Sequence, residues 1–261
     1  MGTSPSLLAR LALCLSLAAL SACGPSSHYV HQYEKELVVN ITGGSSCNPP
    51  GLEAVGAIVR RDQRTMCSGT LIANDTILTA AHCLEGEEPA NLSFVIGADL
   101  RTAVSHPIAS GVPHPEYRKG KHGSHDIALL YLREPVPGVT PVPYRKASLP
   151  VYFRGRLTFV GFGDDDGTAQ TGSGIKRCLR VHVSRVNEFT FENNTPGHTT
   201  CHGDSGGPVL DYRDGKWEIV GLIASGDSLC KRLGLSSRVD VAAEWITQTV
   251  PPSRVTTVPG A

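Results

Sequence analysis

Residues 201–209 read Cys-His-Gly-Asp-Ser-Gly-Gly-Pro-Val, and the reading of this stretch decides the fold. Ser205 stands in a glycine-rich turn beside a carboxylate, Asp204. Gly203 lets the backbone turn so that its own N–H and that of Ser205 aim at one point, which is what a tetrahedral oxyanion requires. A serine hydroxyl alone is a weak nucleophile; it needs a base and a group that orients the base. Both stand upstream. His82 lies in Thr79-Ala80-Ala81-His82-Cys83, and Asp126 lies in His125-Asp126-Ile127-Ala128-Leu129-Leu130.

The order along the chain is His, Asp, Ser. Gly203-Asp204-Ser205-Gly206-Gly207 also fits the Gly-x-Ser-x-Gly elbow of the α/β-hydrolases, but there the serine comes first and the histidine last. His202 is the last histidine of this sequence, so that order is excluded, and with it an esterase of that fold. Further strings accompany the three motifs. Ser68-Gly69-Thr70-Leu71-Ile72 precedes Ile77-Leu78-Thr79-Ala80-Ala81-His82-Cys83, and His114-Pro115-Glu116-Tyr117 precedes the aspartate segment. Gly161-Phe162-Gly163 and Ala243-Glu244-Trp245-Ile246 follow. Together these motifs resemble the trypsin-like (chymotrypsin-family) serine proteases over about residues 41–250.

The resemblance implies an all-β fold: two six-stranded antiparallel β-barrels and a C-terminal helix, with the site between the barrels. His82 and Asp126 would come from the first barrel and Ser205 from the second. The implied activity is a serine endopeptidase acting through an acyl-enzyme. Ser205 is the nucleophile, His82 the base, Asp126 the orienting group, and the N–H groups of Gly203 and Ser205 form the oxyanion hole. The resemblance also gives Asp204 a partner, the α-amino group of Ile41 after cleavage before Ile41-Thr42-Gly43-Gly44. A local hydrogen-bonding role for Asp204 is the alternative. The residue before that junction is Asn40, whereas activators of trypsin-like zymogens cut after Arg or Lys.

Thr199 falls where the family places the floor of the substrate pocket, and Gly226 and Gly234 match the glycines that leave its walls open. Threonine carries no charge, so an uncharged P1 residue is expected, medium or large, aromatic included. His202 falls at the pocket rim. Ala224 and Ser225 stand where the family has serine and tryptophan, which leaves Asp126 short of one partner. That departure keeps open a second class: a protease-like binding protein with weak or no turnover.

With 24 basic and 24 acidic residues among 261, the chain offers no electrostatic reason to bind nucleic acid. Its length suits one β-rich enzyme with short extras. Short apolar runs separated by Gly, Asn, Asp and Pro fit such a fold. They are Ala54–Val59, Thr70–Ala73, Leu92–Ile96, Ile127–Leu132, Leu157–Gly161, Leu179–Val183, Val209–Tyr212, Glu218–Ile223 and Leu235–Val239. Residues 240–250 read as a helix with Asp240 as N-cap, Val241 and Trp245 on its periodic face, and Pro251-Pro252 as its stop.

Arg10 and the apolar run from Leu11 to Leu20 read as an export signal, 1–22, too short for a spanning helix. Leu20-Ser21-Ala22-Cys23 resembles a bacterial lipoprotein signal, in which Cys23 carries lipid; an ordinary secretory signal is the alternative. Residues 23–40 then form a lipid-attached linker or propeptide, 41–250 the protease domain and 251–261 a tail. The location expected is the bacterial cell envelope, or outside it after cleavage near Asn40. The chain has eight cysteines; removing Cys14 and lipidating Cys23 leaves six, an even number consistent with three disulfides in an exported domain. The resemblance pairs Cys67 with Cys83, Cys201 with Cys230 and Cys47 with Cys178. A zinc site is the alternative for these cysteines, without Cys-x-x-Cys spacing to support it.

No cofactor or metal is expected. The partners expected are a protein or peptide substrate, an activating protease, and a membrane only through Cys23; a monomer is expected. Asp164-Asp165-Asp166 reads as a solvated loop rather than a calcium site. His114, His122 and His125 read as neighbours in sequence only. Asn40, Asn74, Asn91 and Asn193 open Asn-x-Ser/Thr strings, glycan acceptors in a eukaryotic secretory path.

Overall fold

The structure, a computed structural model, describes residues 46–60, 65–120 and 125–250. The export signal, Cys23, Asn40, Ile41, His122 and the tail after residue 250 lie outside the described residues. Among the described residues no helix is long and apolar enough to cross a membrane.

Six strands close a first barrel: β1 (Val55–Arg60), β2 (Thr65–Ala73), β3 (Thr76–Thr79), β4 (Leu92–Ile96), β5 (Val104–Pro113) and β6 (Ala128–Leu132). Its order is β1-β2-β3-β6-β5-β4, with every neighbouring pair antiparallel. Closure removes the exposed edges that an open sheet would present. Asn74-Asp75 make the tight turn between β2 and β3, where the Thr76 hydroxyl donates to Asp75 Oδ1 at 3.1 Å.

The second sheet holds β7 (Arg156–Gly161), β8 (Arg177–His182), β9 (Arg185–Val186), β10 (Thr190–Asn194), β11 (Pro208–Arg213), β12 (Lys216–Gly226) and β13 (Leu233–Arg238). Its order is β8-β7-β11-β12-β13-β10-β9, seven strands rather than six. The extra strand comes from a bend. Only Val183-Ser184 separate β8 at one edge from β9 at the other, so the two edges must lie side by side. Val183 N donates to Gly155 O at 3.0 Å beside β7, and Ser184 N donates to Glu192 O on β10 at 2.8 Å. One bent run of chain therefore joins both edges and curls the sheet into a barrel-like form.

Alternation along β11 and β12 divides the core, because successive strand residues point to opposite faces. Val209 and Val220 turn inward with Leu157, Phe159, Leu179, Val181 and Phe191. Their neighbours Leu210 and Ile219 join the first barrel's Ile58, Leu71, Ile77, Phe94 and Leu129 in one cluster, which cements the two units together. Each such large side chain, fully buried, contributes ~1.5–3 kcal/mol.

Three disulfides brace the fold: Cys47–Cys178, Cys67–Cys83 and Cys201–Cys230, with sequence separations of 131, 16 and 29. Loops of this range are worth ~3–5 kcal/mol each in the chain-entropy description.

The C-terminus departs from the sequence reading. A 3₁₀ turn, Asp240–Ala242, precedes a short helix α1 (Ala243–Thr249), and Asp240 does not cap it. Its carboxylate instead accepts from Leu149 N at 3.0 Å and pairs with Arg238, both side chains being buried. The helix buries Ala243 and Ile246, while Trp245 is only half-buried and Val241 lies before it. A buried ion pair pre-empts the cap that the bare sequence offers.

Candidate active site

His82 sits in a 3₁₀ turn, Ala81–Leu84, directly after β3. Asp126 lies just before β6, which pairs with β3, so adjacent strands of one barrel present the two side chains together. His82 Nδ1 lies 2.7 Å from Asp126 Oδ2, and His82 N donates to Asp126 Oδ1 at 2.9 Å. Asp126 is fully buried and the His82 side chain 21% exposed. A carboxylate at Nδ1 fixes that nitrogen as the donor and leaves Nε2 as the acceptor. Among the described residues Asp126 has two hydrogen bonds, both with His82, and the alanine at 224 supplies no third.

The chain around Asp126 is tightly held. His125 adopts φ 53°, and Ile127 N donates to His125 O at 2.7 Å. The rings of His114 and His125 stack with centroids 4.4 Å apart, and His125 Nε2 meets Glu116 at 3.2 Å. The histidines thus meet in space as well as in sequence, since Ile127 O accepts from His114 N at 2.9 Å and draws the segments together. Burial above all pushes the His114 imidazole down to about 4. His114, Glu116 and His125 are near enough to hold a metal ion. The imidazole planes are only 16° apart, so their lone pairs run side by side instead of converging, and His114 Nδ1 already accepts from Glu116 N. Two other clusters, Cys67/His82/Cys83 and Cys201/His202/Cys230, have their sulfurs in disulfides.

Ser205 lines a cleft of about 300 Å³ with His82, His202, Gly203, Cys67, Cys83 and Arg60. Its turn needs glycine: Gly203 has φ 92° and Gly206 φ 77°. A Cβ on Gly206 would run into the Thr79 hydroxyl and the Ser68 carbonyl, so the turn is pressed against the first barrel. Ser68 holds it there. Ser68 N donates to Ser205 O at 2.7 Å, and Ser68 Oγ donates to Gly203 O at 2.9 Å while accepting from Phe162 N at 3.1 Å. Nothing but its place in a family string singles Ser68 out in the sequence.

The same network sets the direction of two N–H groups. His202 O accepts from Asp164 N at 2.8 Å, and Asp204 O accepts from Gly207 N at 2.9 Å. In a planar trans peptide the N–H points opposite the carbonyl. The N–H groups of Gly203 and Ser205 therefore face away from those partners, and neither donates to a protein acceptor among the described residues.

Asp204 is fully buried. Its Oδ1 accepts from Gly163 N at 2.8 Å and its Oδ2 from Cys201 N at 2.7 Å. Burial pushes its carboxyl up to about 7 even against these bonds. Of these two donors Cys201 is local and Gly163 is 41 residues away; Ile41 lies outside the described residues. The neighbouring aspartates are solvated only in part. Asp164 is buried, Asp165 pairs with Arg177 at 3.0 Å, and Asp166 accepts from the N–H groups of Thr168 and Ala169. Asp165 is half-buried and Asp166 exposed, so only the start of this acidic run is withdrawn from solvent.

Thr199 is fully buried, and Gly226 and Gly234 face each other across β12 and β13. Of the glycan-type asparagines, Asn91 is exposed and Asn74 half-buried; Asn193 is fully buried and inaccessible to a glycan once folded.

The family profile described as Trypsin matches residues 41–246. A trypsin of Saccharopolyspora erythraea is 30% identical over 213 residues, covering 74% of this chain and 89% of that one. An ovochymase of Halocynthia roretzi is 29% identical over 226 residues, 74% of this chain but 14% of that longer protein. Among solved structures, neuropsin, a serine protease expressed in the limbic system of mouse brain, aligns with TM-score 0.67 at 22% identity. That alignment covers 79% of this chain and 98% of neuropsin, and at that identity it speaks for the fold.

Proposed function

The chain belongs to the trypsin family of serine proteases, and on that premise we propose that it is an exported endopeptidase working through His82, Asp126 and Ser205. One observation carries the reading: His82 and Ser205 line one cleft, and a buried aspartate behind it is bound to His82 Nδ1 at 2.7 Å. Ser205 Oγ attacks the scissile carbonyl while His82 Nε2 takes its proton. The carbonyl oxygen, now an oxyanion, accepts from the N–H groups of Gly203 and Ser205. His82 returns the proton to the leaving amine, the C–N bond breaks, and an acyl group remains on Ser205. Water, deprotonated by His82, hydrolyses that ester and frees the serine. Asp126 keeps the imidazole in the useful tautomer and stabilises the imidazolium.

Asp204 supports control of this cycle. A fully buried carboxyl with only two peptide donors has room in its chemistry for an ammonium group, and Ile41 would supply one after cleavage behind Asn40. The ion pair would order the loop that carries Gly203 and Ser205. The disulfides support an oxidising compartment. With lipid on Cys23 the uncut chain would be held at a membrane, and the cut would release the catalytic domain.

A fluorophosphonate probe tests the reading by labelling an activated serine. The full chain, a form beginning at Ile41, and Ser205→Ala of each are compared. Labelling of the Ile41 form, lost in Ser205→Ala, is expected. Absence of labelling in folded, disulfide-bonded protein that begins at Ile41 would overturn it.

A further inference from the structure

Strands β10, β13 and β12 place three residues in one row: Asn193 opposite Gly234, and Gly234 opposite Gly226. Directly opposed residues of an antiparallel pair present their side chains to the same face. Two members of the row are glycine, so the only side chain over that patch is the amide of Asn193. It lies across Gly234, where a Cβ would run into its Oδ1. Phe191, two residues earlier on the same face, belongs to the core of the second sheet, so the amide stands at the end of an apolar interior.

The row includes Gly226 and Gly234, the two glycines read above as leaving the walls of the substrate pocket open, and it runs into the loop that carries Ser205. Thr195 N donates to Arg232 O at 3.2 Å, Gly197 N donates to Lys231 O at 2.7 Å, and Cys201 is bonded to Cys230. These ties fasten residues 195–201, and Ser205 beyond them, to the turn between β12 and β13. Asn193 is fully buried, and neither its Oδ1 nor its Nδ2 has a hydrogen-bond partner among the described residues. Buried amides are almost always satisfied, and one left open on both atoms has the character of a binding group awaiting its ligand.

Resting on the peptidase reading above, we propose that Asn193 reads the P1 side chain of the substrate and selects a primary amide, glutamine or asparagine. A carboxamide offers a carbonyl to Nδ2 and an N–H to Oδ1 in one plane, so it satisfies both open atoms at once. A P1 lysine or arginine would meet only the uncharged amide in this row, and Asp227 at its edge already accepts from the N–H groups of Lys231, Arg232 and Leu233. A P1 carboxylate would set oxygen against Oδ1. An aliphatic or aromatic P1, allowed by Thr199 alone, would bury the amide unpaired.

This choice explains an oddity of the sequence. The junction before Ile41-Thr42-Gly43-Gly44 ends in Asn40, the residue type that this pocket selects. The activating protease is then a second copy of this chain.

The test uses the protein beginning at Ile41 and fluorogenic peptides differing only at P1: Gln, Asn, Leu, Phe, Lys and Glu. Expected is a kcat/KM for Gln or Asn ~10²-fold or more above the similarly sized Leu, since sites built to hydrogen-bond reject analogues that cannot. Asn193→Ala should lower the ratio of kcat/KM for the amide substrates to that for Leu at least ~10-fold, and Asn193→Asp should move the preference toward Lys. The P1 scan of the unaltered protein stands even where a variant does not fold. In a second arm, full-length Ser205→Ala is the substrate of active enzyme. Cutting behind Asn40 is expected, with none when Asn40→Lys is added. Normal fluorophosphonate labelling together with an aliphatic, aromatic or cationic P1 preference would overturn the inference and leave the peptidase reading standing. Absence of labelling would overturn both.

Discussion

In the first barrel the polar groups that go inside find partners within the fold; in the second sheet, several do not. Ser68 uses its N–H and both functions of its hydroxyl, Thr79 Oγ1 donates to Ser68 O at 2.8 Å, and both oxygens of Asp126 accept from His82. Thr70 is the exception there. In the second sheet Asn193 and Ser237 are buried with open polar atoms, and Asp204 carries its carboxyl into the interior with two peptide donors. The difference teaches how labour is divided. On the reading proposed above, chemistry that is the same for every substrate sits on a satisfied frame, whereas the groups proposed to meet a P1 side chain or a new N-terminus are left open and cost stability until met.

The comparison breaks first if the satisfied frame can be loosened without consequence. Asp126→Asn should lower kcat by ~10⁴ by favouring the wrong imidazole tautomer, with little change in stability; steady-state kinetics beside a thermal melt check this. Next comes the buried pair that ties Leu149 to the chain before α1. Asp240→Ala leaves Arg238 buried without its carboxylate and should cost ~3–5 kcal/mol in denaturant unfolding, with kcat kept in the surviving folded fraction.

The open group Asp204 gives a pH signature. Its folded carboxyl is raised from 3.8 to about 7 by burial, so the protonated form favours the folded state. Stability from this group is full below about pH 4 and is lost as pH rises to about 7, by roughly 2–4 kcal/mol. Melting of the uncut chain against pH should show that loss, and Asp204→Asn should remove it. In protein beginning at Ile41, an ammonium partner should reverse the trend. Ser68→Ala should follow, at ~1–3 kcal/mol of stability, because Gly203 O and Phe162 N lose their partner; a larger fall in kcat than in KM would mark its hold on the oxyanion loop. The smallest effect belongs to Lys176. Its ammonium, 1% exposed and bonded to Leu52 O at 3.0 Å, is pushed down to about 8 mainly by burial. Lys176→Met should change stability by less than ~1 kcal/mol, as apolar replacements of buried charges often do.

The proposed catalytic residues were legible because the chemistry assigned to them demands particular residue types in a particular order, and the apolar runs were legible because burial demands them. Where neither demand is visible, the sequence is mute. Strand β5 has prolines at 107 and 113 and a single fully buried side chain, Ile108, so no alternation marks it. Strand β10, Thr-Phe-Glu-Asn-Asn, reads as a polar loop, and Asn193 within it as a surface glycan site; only pairing with β13 turns it inward. The bond from Ser68 to Gly203 spans 135 residues, and no local pattern announces it. Asp240 looked like a cap because nothing nearby in sequence reveals Leu149, 91 residues away.

The central claim is that Ser205 forms the acyl-enzyme, and trapping that species tests it most directly. Protein beginning at Ile41 is mixed with an activated ester, quenched in acid within the first turnover, and weighed intact before peptide mapping. One acyl group per chain, located on the peptide containing Ser205 and absent in His82→Ala, is the predicted result. Turnover with no adduct, or an adduct on any other residue, would contradict it.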